Sequence, residues 1–297
     1  MTTPGAPLAA ASPLRKRRPA GWLAPGPSPR GDQGKPELTP ADDEDLSFLT
    51  GDFRIFQKKR GHRWSLDDFL TAHFAIRVAK QRGGVARAAD LGCGIGSVLM
   101  MVAWALPDAR ATGVEAQDLS IAMARRSLDY NGLEDRVDLV HGDLREVAPR
   151  LGSGFDLVTG TPPYIPLGSG LVSERTQRLP CFFETRGGLE DYCAAAASLL
   201  ASDGVFVVCA GISPPERGAR AAAAAGLELL RHVEVVPREG KPSLFRVFVM
   251  RRGARAASPS VERFVVRDAS GELTAELLEA NRLMGIPRME RVQGGNR

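Results

Sequence analysis

The sequence has few of the residues that carry metal, redox and disulfide chemistry. Its 297 residues include four cysteines, Cys93, Cys181, Cys193 and Cys209, and four histidines, His62, His73, His141 and His232. No pair of cysteines has metal-ligand or redox spacing and the histidines form no ligand pattern, so reduced thiols and no metal are expected. Long apolar runs are also lacking. The longest, Val98 to Leu106, falls well short of the roughly 18 residues that cross a membrane and reads as a buried helix. In the first twenty residues, Arg15-Lys-Arg-Arg18 follows the mildly apolar stretch, the reverse of secretory-signal order. The expectation is a cytoplasmic protein with no membrane partner.

Excess charge of one sign is confined to one end. Residues 1–40 hold six Lys and Arg against two Asp and Glu, and the net charge of the chain is +4, so the other 257 residues sum to zero. A neutral body argues against a long duplex-DNA footprint, which needs many phosphate contacts. Residues 1–44 are rich in Pro, Gly, Ala and Ser without an apolar period. Such a composition buries too little surface to offset ordering entropy, and reads as a disordered basic tail.

Past residue 45 the pattern becomes that of a folded domain. Phe53 to Gln57 alternates as a strand would, and Ser65 to Lys80 reads as a helix with Ser65 as N-cap and Asp67 and Asp68 in its first turn. Strands are expected at Val85–Leu91, Ala111–Glu115, Val137–His141, Phe155–Thr159, Gly204–Ala210, Leu227–Val236 and Ser243–Arg251. Helices are expected at Gly96–Leu106, Leu119–Asn131, Leu189–Leu200 and Pro215–Ala225. Strand–helix alternation implies an α/β fold: a mostly parallel seven-stranded sheet with helices on both faces. The last two strands follow each other without a helix, which makes the final one antiparallel. The domain spans 45–251, and 252–297, with a short strand at Phe264–Arg267 and a helix near Thr274–Arg282, reads as an extension packed on it.

Asp90-Leu-Gly-Cys-Gly-Ile-Gly-Ser97 joins an apolar strand to an apolar helix. Gly92, Gly94 and Gly96 allow positive φ or close backbone approach, and the helix start points free N–H groups at a ligand. Alone, this pattern fits a dinucleotide enzyme or a structural turn equally. The acids around it discriminate. Asp90 would repel a pyrophosphate but suits a ligand bearing an ammonium and a sulfonium, as S-adenosylmethionine does. Glu115 ends the next strand, where ribose hydroxyls bind. Asp143, in His141-Gly-Asp143, follows the third and can accept from an adenine amino group. Each acid alone could be a helix cap or a surface charge. Together with Cys93 in the loop, they define a candidate cofactor site.

The fourth strand, Phe155-Asp-Leu-Val-Thr159, leads into Gly160-Thr-Pro-Pro-Tyr164. Two prolines fix a rigid turn, and Tyr164 offers a flat face. The segment resembles the Asn-Pro-Pro-Tyr motif of methyltransferases acting on planar amino groups. In that family the Asn oxygen and the first Pro carbonyl accept the two amine hydrogens, and the aromatic ring stacks on the substrate. The resemblance implies catalytic roles for Thr161, Pro162, Pro163 and Tyr164, with Thr161 also near the cofactor. It departs from the family at Thr161, where the family has Asn; a hydroxyl must orient its lone pair, whereas an amide oxygen presents one directly.

Further segments are similar to the bacterial adenine-N6 methyltransferases that act on adenine 37 of the valine tRNA. These are Gln57 to Ala75 with Gly61-His-Arg-Trp-Ser-Leu-Asp67, which caps the cofactor in that family, then Glu184, Leu189-Glu-Asp191, Gly240-Lys-Pro242 and Phe264 to Glu279. The resemblance covers about residues 46–284 and implies a Rossmann-like class I methyltransferase. The implied reaction methylates adenine N6 in RNA, with tRNA as partner. An unstacked base in a single-stranded loop is the accessible substrate. The loop Ile165–Gly188, carrying Arg175 and Arg178, and the basic stretch Lys241–Arg267 are candidates for substrate contact, with Lys241 foremost. Phe182 and Phe183 could stack on a base or anchor the loop. The same motif serves glutamine side-chain amides and small-molecule amines, and Thr161 is also compatible with a homologue that binds cofactor or RNA without turnover.

Overall fold

The computed structural model describes residues 16–61, 63–163, 187–253, 258–288 and 290–291. Before the main sheet come β1 (Lys16–Arg17), β2 (Glu44–Phe48), β3 (Arg54–Lys58) and α1 (Leu66–Gln81). The alternating part runs β4 (Arg87–Leu91), α2 (Ser97–Ala105), β5 (Arg110–Glu115), α3 (Asp118–Asn131), β6 (Val137–His141), α4 (Leu144–Leu151) and β7 (Phe155–Gly160). It continues as α5 (Leu189–Leu199), β8 (Leu200–Gly211), α6 (Arg217–Ala224), β9 (Leu227–Val236) and β10 (Phe245–Arg252). The chain closes with β11 (Ser260–Val265), α7 (Ala275–Leu283) and β12 (Glu290–Arg291).

The main sheet has eight strands in the order β11-β9-β10-β8-β7-β4-β5-β6. Strands β4 to β8 are parallel where they pair, and β10 runs antiparallel between β8 and β9. This is the Rossmann-like arrangement expected of the alternating pattern. The eighth strand, β11, comes from the C-terminal extension and pairs parallel with β9.

Successive side chains of a strand face opposite ways, and the sequence supplies apolar residues to both. In β8, Val205, Val207 and Cys209 enter one core with α1 and α2, while Phe206, Val208 and Ala210 enter a second with α4, α5 and α6. A sheet covered on both faces needs such near-continuous apolar strands. Leu277, Ala280 and Met284 join the first core, so the extension shares the domain's interior.

Besides the short β1–β12 pair, strand β2 and helix α4 escaped the sequence reading. Strand β2, Glu-Asp-Leu-Ser-Phe, is mostly polar and only partly buried, and it forms a hairpin with β3. Helix α4 buries only Leu144, Val147 and Ala148 and contains Pro149, which masks its period. The β2–β3 hairpin docks on α3 through side chains. Asn131 accepts the Arg54 N–H at 2.9 Å and donates to its carbonyl at 2.7 Å, and Ser127 Oγ accepts the Phe56 N–H at 3.0 Å.

The expected disordered tail is corrected from residue 16 onward. Leu38 is buried, and Lys35 bonds Asp129 at 2.9 Å, Arg30 pairs with Glu134, and Arg18 pairs with Asp52. Three of the six basic residues of 1–40, Arg18, Arg30 and Lys35, are thus matched to acids of the body. Residues 1–15 lie outside the described residues. No helix is long and apolar enough to cross a membrane among those described.

The chain builds outward from β4 through β5 to β6, then crosses back to β7 on the other side of β4. The loops after β4 and β7 therefore diverge at the carboxyl edge of the sheet. That is the switch point at which open α/β sheets bind ligands.

Candidate cofactor and methyl-acceptor site

A cleft opens at this switch point, lined from several strand ends and from α1. Gly92, Cys93 and Gly94 line it from the β4 loop, Glu115 and Gln117 from the end of β5, and Asp143 from the end of β6. Thr161 and Pro163 come from the turn after β7, and Asp68 from the first turn of α1.

The glycine loop is shaped by steric need. Gly92 has φ +59°, and a Cβ there would sit 2.0 Å from the Tyr192 hydroxyl. Gly94 has φ +56°, and its missing side chain leaves open space. A ligand can thus approach the loop backbone closely. Gly96 caps α2 in a left-handed conformation and does not line the cleft.

Glu115 fixes the loop from the neighbouring strand. Its Oε2 accepts the Gly94 N–H at 2.8 Å and its Oε1 accepts the Gln117 N–H at 2.7 Å. A carboxylate has about four lone-pair sites, so acceptor capacity remains for ribose hydroxyls. Asp143 caps α4 by accepting the Arg145 N–H at 2.9 Å, and the Arg145 guanidinium pairs with the same carboxylate.

Asp90 has a different role from the one expected. It is not on the cleft wall. Its Oδ2 accepts the Leu99 N–H at 3.1 Å and its Oδ1 accepts the Thr159 hydroxyl at 2.8 Å. Asp90 therefore satisfies one of the open N–H groups at the start of α2, a place where a dinucleotide fold would hold its pyrophosphate. The preference for a ligand without phosphate survives, carried by occupancy of the helix start and not by contact with an ammonium.

Asp68 was missed by sequence reasoning as a site residue. Two adjacent acids at a helix start are accounted for by the helix dipole, and nothing in the spacing singles out the second. The similarity of residues 57–75 to a cofactor-capping segment was the available signal. Asp68 occupies the third position of α1 and accepts the Ser65 N–H at 3.0 Å, one arm of a capping box. Ser97 and Thr161 line the same cleft. Tyr192, under the loop, was likewise unforeseen.

Electrostatics give the cleft a clear demand. Burial, and then the neighbouring Asp67 charge, push the Asp68 carboxyl up to about 7. Burial and the charges of Asp68 and Glu115 push Asp90 up to about 7 against the hydrogen bonds it accepts. Among the described residues lining the cleft there is no Lys or Arg. Clustered buried carboxylates without a counter-charge favour a cationic ligand. S-adenosylmethionine, with its ammonium and sulfonium, fits that demand, and the open path over Gly94 suits it. No group of three His, Cys, Asp or Glu side chains among the described residues could hold a metal.

The remaining expected residues divide in two. Pro162 is buried in the turn and does not line the cleft. Tyr164, Arg175, Arg178, Phe182, Phe183 and Glu184 lie outside the described residues. Lys241 is exposed in the β9–β10 connection, on the same edge of the sheet but not in the cleft. The basic stretch around it is not one patch. Strand β10 carries Arg246 at its start and Arg251 near its other end, about 17 Å away at ~3.4 Å per residue. Arg246 pairs with Glu234 at 2.8 Å and Arg251 with Glu228 at 2.9 Å.

Comparison with known proteins agrees with this geometry. Residues 88–165 match the family model described as a methyltransferase domain. A release factor glutamine methyltransferase of Chlorobaculum tepidum is 33% identical over 129 residues, 39% of this chain and 42% of that protein. A ribosomal protein uL3 glutamine methyltransferase of Bordetella pertussis is 29% identical over 178 residues, 54% of this chain and 58% of that one. The chain thus spans roughly half the length of these two relatives. A tRNA1(Val) (adenine(37)-N6)-methyltransferase of Yersinia pseudotuberculosis is 24% identical over 243 residues, covering 74% of this chain and 90% of that protein. The crystal structure of a predicted O-methyltransferase from Agrobacterium tumefaciens superposes with a TM-score of 0.53 at 21% identity, covering 74% of this chain and 98% of that one. Residues 88–165 therefore form a class I S-adenosylmethionine-dependent methyltransferase domain, set in a Rossmann-like methyltransferase fold whose cofactor is S-adenosylmethionine.

Proposed function

We propose that the protein methylates a planar amino nitrogen, with adenine N6 in tRNA as the substrate. One observation carries the reading: Thr161 and Pro163, at the end of β7, share a cleft wall with the glycine loop and Glu115. The acceptor turn and the cofactor seat are thus one cavity. Similarity to the tRNA enzyme over 90% of that relative's length supports the nucleic-acid substrate. The catalytic unit is the segment 45–251, with 252–297 as its extension.

Gly92, Cys93 and Gly94 would hold the cofactor against the loop, with Glu115 on its ribose, Asp143 toward its base and Asp68 near its charged end. The cofactor, when bound, supplies an electrophilic methyl group. The chain's part is positioning. The lone pair of a planar amine is delocalised into its ring, and acceptors placed for both N–H groups turn it toward the methyl donor. The Thr161 hydroxyl and the carbonyls of the Pro-Pro turn are the acceptors available.

A second reading is favoured by the local identity of 33% and 29% to two protein glutamine methyltransferases: the acceptor would be a glutamine side-chain amide, also planar. Incubation with methyl-labelled S-adenosylmethionine and separate tRNA and protein pools decides between them. Ribonuclease-sensitive label recovered as N6-methyladenosine is expected. Protease-sensitive label supports glutamine, and no label in either pool contradicts both.

A further inference from the structure

A ladder of cations and rings stands on the surface where the N-terminal arm, residues 16–44, meets the β2–β3 hairpin. Arg18 lies over the Trp22 ring at 4.5 Å and over the Phe48 ring at 3.7 Å, and Arg54 lies over Phe48 at 3.4 Å. Two guanidinium groups this close to one ring cannot share a face, so Phe48 is clamped between Arg18 and Arg54. Phe48 is 39% exposed and the other three are partly buried, so the ladder is open to solvent. Its two cations are not equivalent. Arg18 pairs with Asp52 and donates to the Gly51 carbonyl. The Arg54 guanidinium has no hydrogen bond or ion pair among the described residues; only its backbone is bonded, to Asn131.

We propose that this ladder is a contact surface for the phosphate backbone of an RNA substrate, with Arg54 as the phosphate-binding residue. The proposal rests on the reading of RNA as the substrate. The arm lies outside the stretch similar to the adenine-N6 enzymes, so that resemblance assigns it no such role.

Four observations support it. First, a guanidinium has five N–H donors and no acceptor. Stacking on Phe48 fixes its plane and leaves the donors at its edge, the geometry that suits phosphate oxygens. Second, no Lys or Arg is among the described residues lining the cleft, so the backbone charge of a bound RNA has to be met outside it. Arg246 and Arg251 are already paired. Third, the ladder is within reach of an RNA that enters the cleft. Arg54 is bonded to Asn131, the last residue of the 14-residue helix α3, and Gln117 at the other end of α3 lines the cleft. That helix is about 21 Å long, a span that an RNA stem-loop covers. Fourth, the backbones of Lys16 and Arg17 pair with Arg291 and Glu290. Basic residues from both ends of the chain therefore meet next to Arg18, and a basic surplus suits a polyanion.

Binding of fluorescently labelled bulk tRNA to the full chain, followed by anisotropy across a salt series, tests this without turnover. Arg54→Gln removes the charge and keeps the backbone bonds to Asn131. At 0.1 M salt its binding is expected to weaken about 5- to 10-fold, and the slope of log K against log salt to become shallower by ~0.7–0.9, the value of one phosphate contact. Arg54→Lys keeps the charge and is expected to keep the slope. Melting temperature and S-adenosylmethionine affinity are expected to hold in both variants. Unchanged tRNA affinity and slope in Arg54→Gln overturn the proposal. Weakened binding at an unchanged slope, together with a lower melting temperature, also overturns it and leaves Arg54 as a clamp for the arm. Wild type that binds no tRNA overturns both this surface and the RNA reading. Wild type that binds tRNA with an Arg54-dependent slope yet leaves it unmethylated supports the surface and overturns the proposed function alone.

Discussion

The Gly94 N–H donates to Glu115 Oε2 at 2.8 Å, joining the glycine loop after β4 to the end of β5. The same carboxylate takes the Gln117 N–H at the start of α3. One side chain thus sets the relative position of two neighbouring loops that line the cleft. It does so with an anion, as do Asp90 behind the loop and Asp68 across from it. The site is held together by negative charge, and the ligand it suits carries the opposite sign.

Gly92→Ala is expected to destabilise the protein by about 1–3 kcal/mol, from backbone strain and overpacking. The new Cβ would meet the Tyr192 hydroxyl at 2.0 Å and its ring carbon at 3.0 Å, at a φ of +59°. Adding Tyr192→Phe removes the nearer clash and leaves the strain. Denaturant unfolding should therefore show partial recovery in the double variant; no recovery would mean that contact is not what Gly92 relieves.

Asp90→Asn tests the buried carboxylate. Burial lifts the Asp90 carboxyl from an ordinary 3.8 to about 7. Between those values the folded state binds more protons than the unfolded state, so stability falls as pH rises. Asparagine keeps an acceptor for the Leu99 N–H and has no charge to desolvate. The stability of Asp90→Asn relative to wild type should increase from pH 4 to pH 7 and stay level above. The change is on the order of a few kcal/mol, since one unit is worth about 1.4 kcal/mol. A difference independent of pH would show that Asp90 is ionised without penalty.

His73 has the opposite sign. It lies among Phe69, Phe74 and Phe264, and burial, with repulsion from Arg77, depresses it from 6.5 to about 4. The unfolded state binds the extra proton in that window, so the stability that neutral His73 contributes is fully present above pH 6.5 and is lost as pH falls toward 4. His73→Phe should flatten this acid-side loss, read as melting temperature between pH 4 and 7. An unchanged slope would mean that His73 is protonated in the fold.

The features legible in the sequence were those with a short-range physical cause. Alternation gave the parallel sheet, and Gly92 to Gly96 gave the turn into α2. The positions of Glu115 and Asp143 followed from strand ends meeting one edge. What stayed hidden depends on long-range geometry. Asp90 and Asp68 are both acids near a helix start, and only the fold reveals that the first is consumed by Leu99 and Thr159 while the second lines the cleft. The basic stretch from Lys241 to Arg267 looked continuous because sequence does not show that an antiparallel strand carries its two ends to opposite edges. Residues 16–44 looked unstructured because their anchors, Asp52, Asp129 and Glu134, lie far along the chain.

The most direct test of the central claim, a carboxylate-walled seat for a cationic cofactor, is calorimetric titration of the purified protein with S-adenosylmethionine and with NAD. The account predicts saturable one-site binding of S-adenosylmethionine and none of NAD. It further predicts an affinity loss of about 10- to 100-fold in Glu115→Ala, the scale of one lost charged hydrogen bond at about 1.5–3 kcal/mol. Binding of NAD at comparable strength, or S-adenosylmethionine binding untouched by the loss of Glu115, would contradict it.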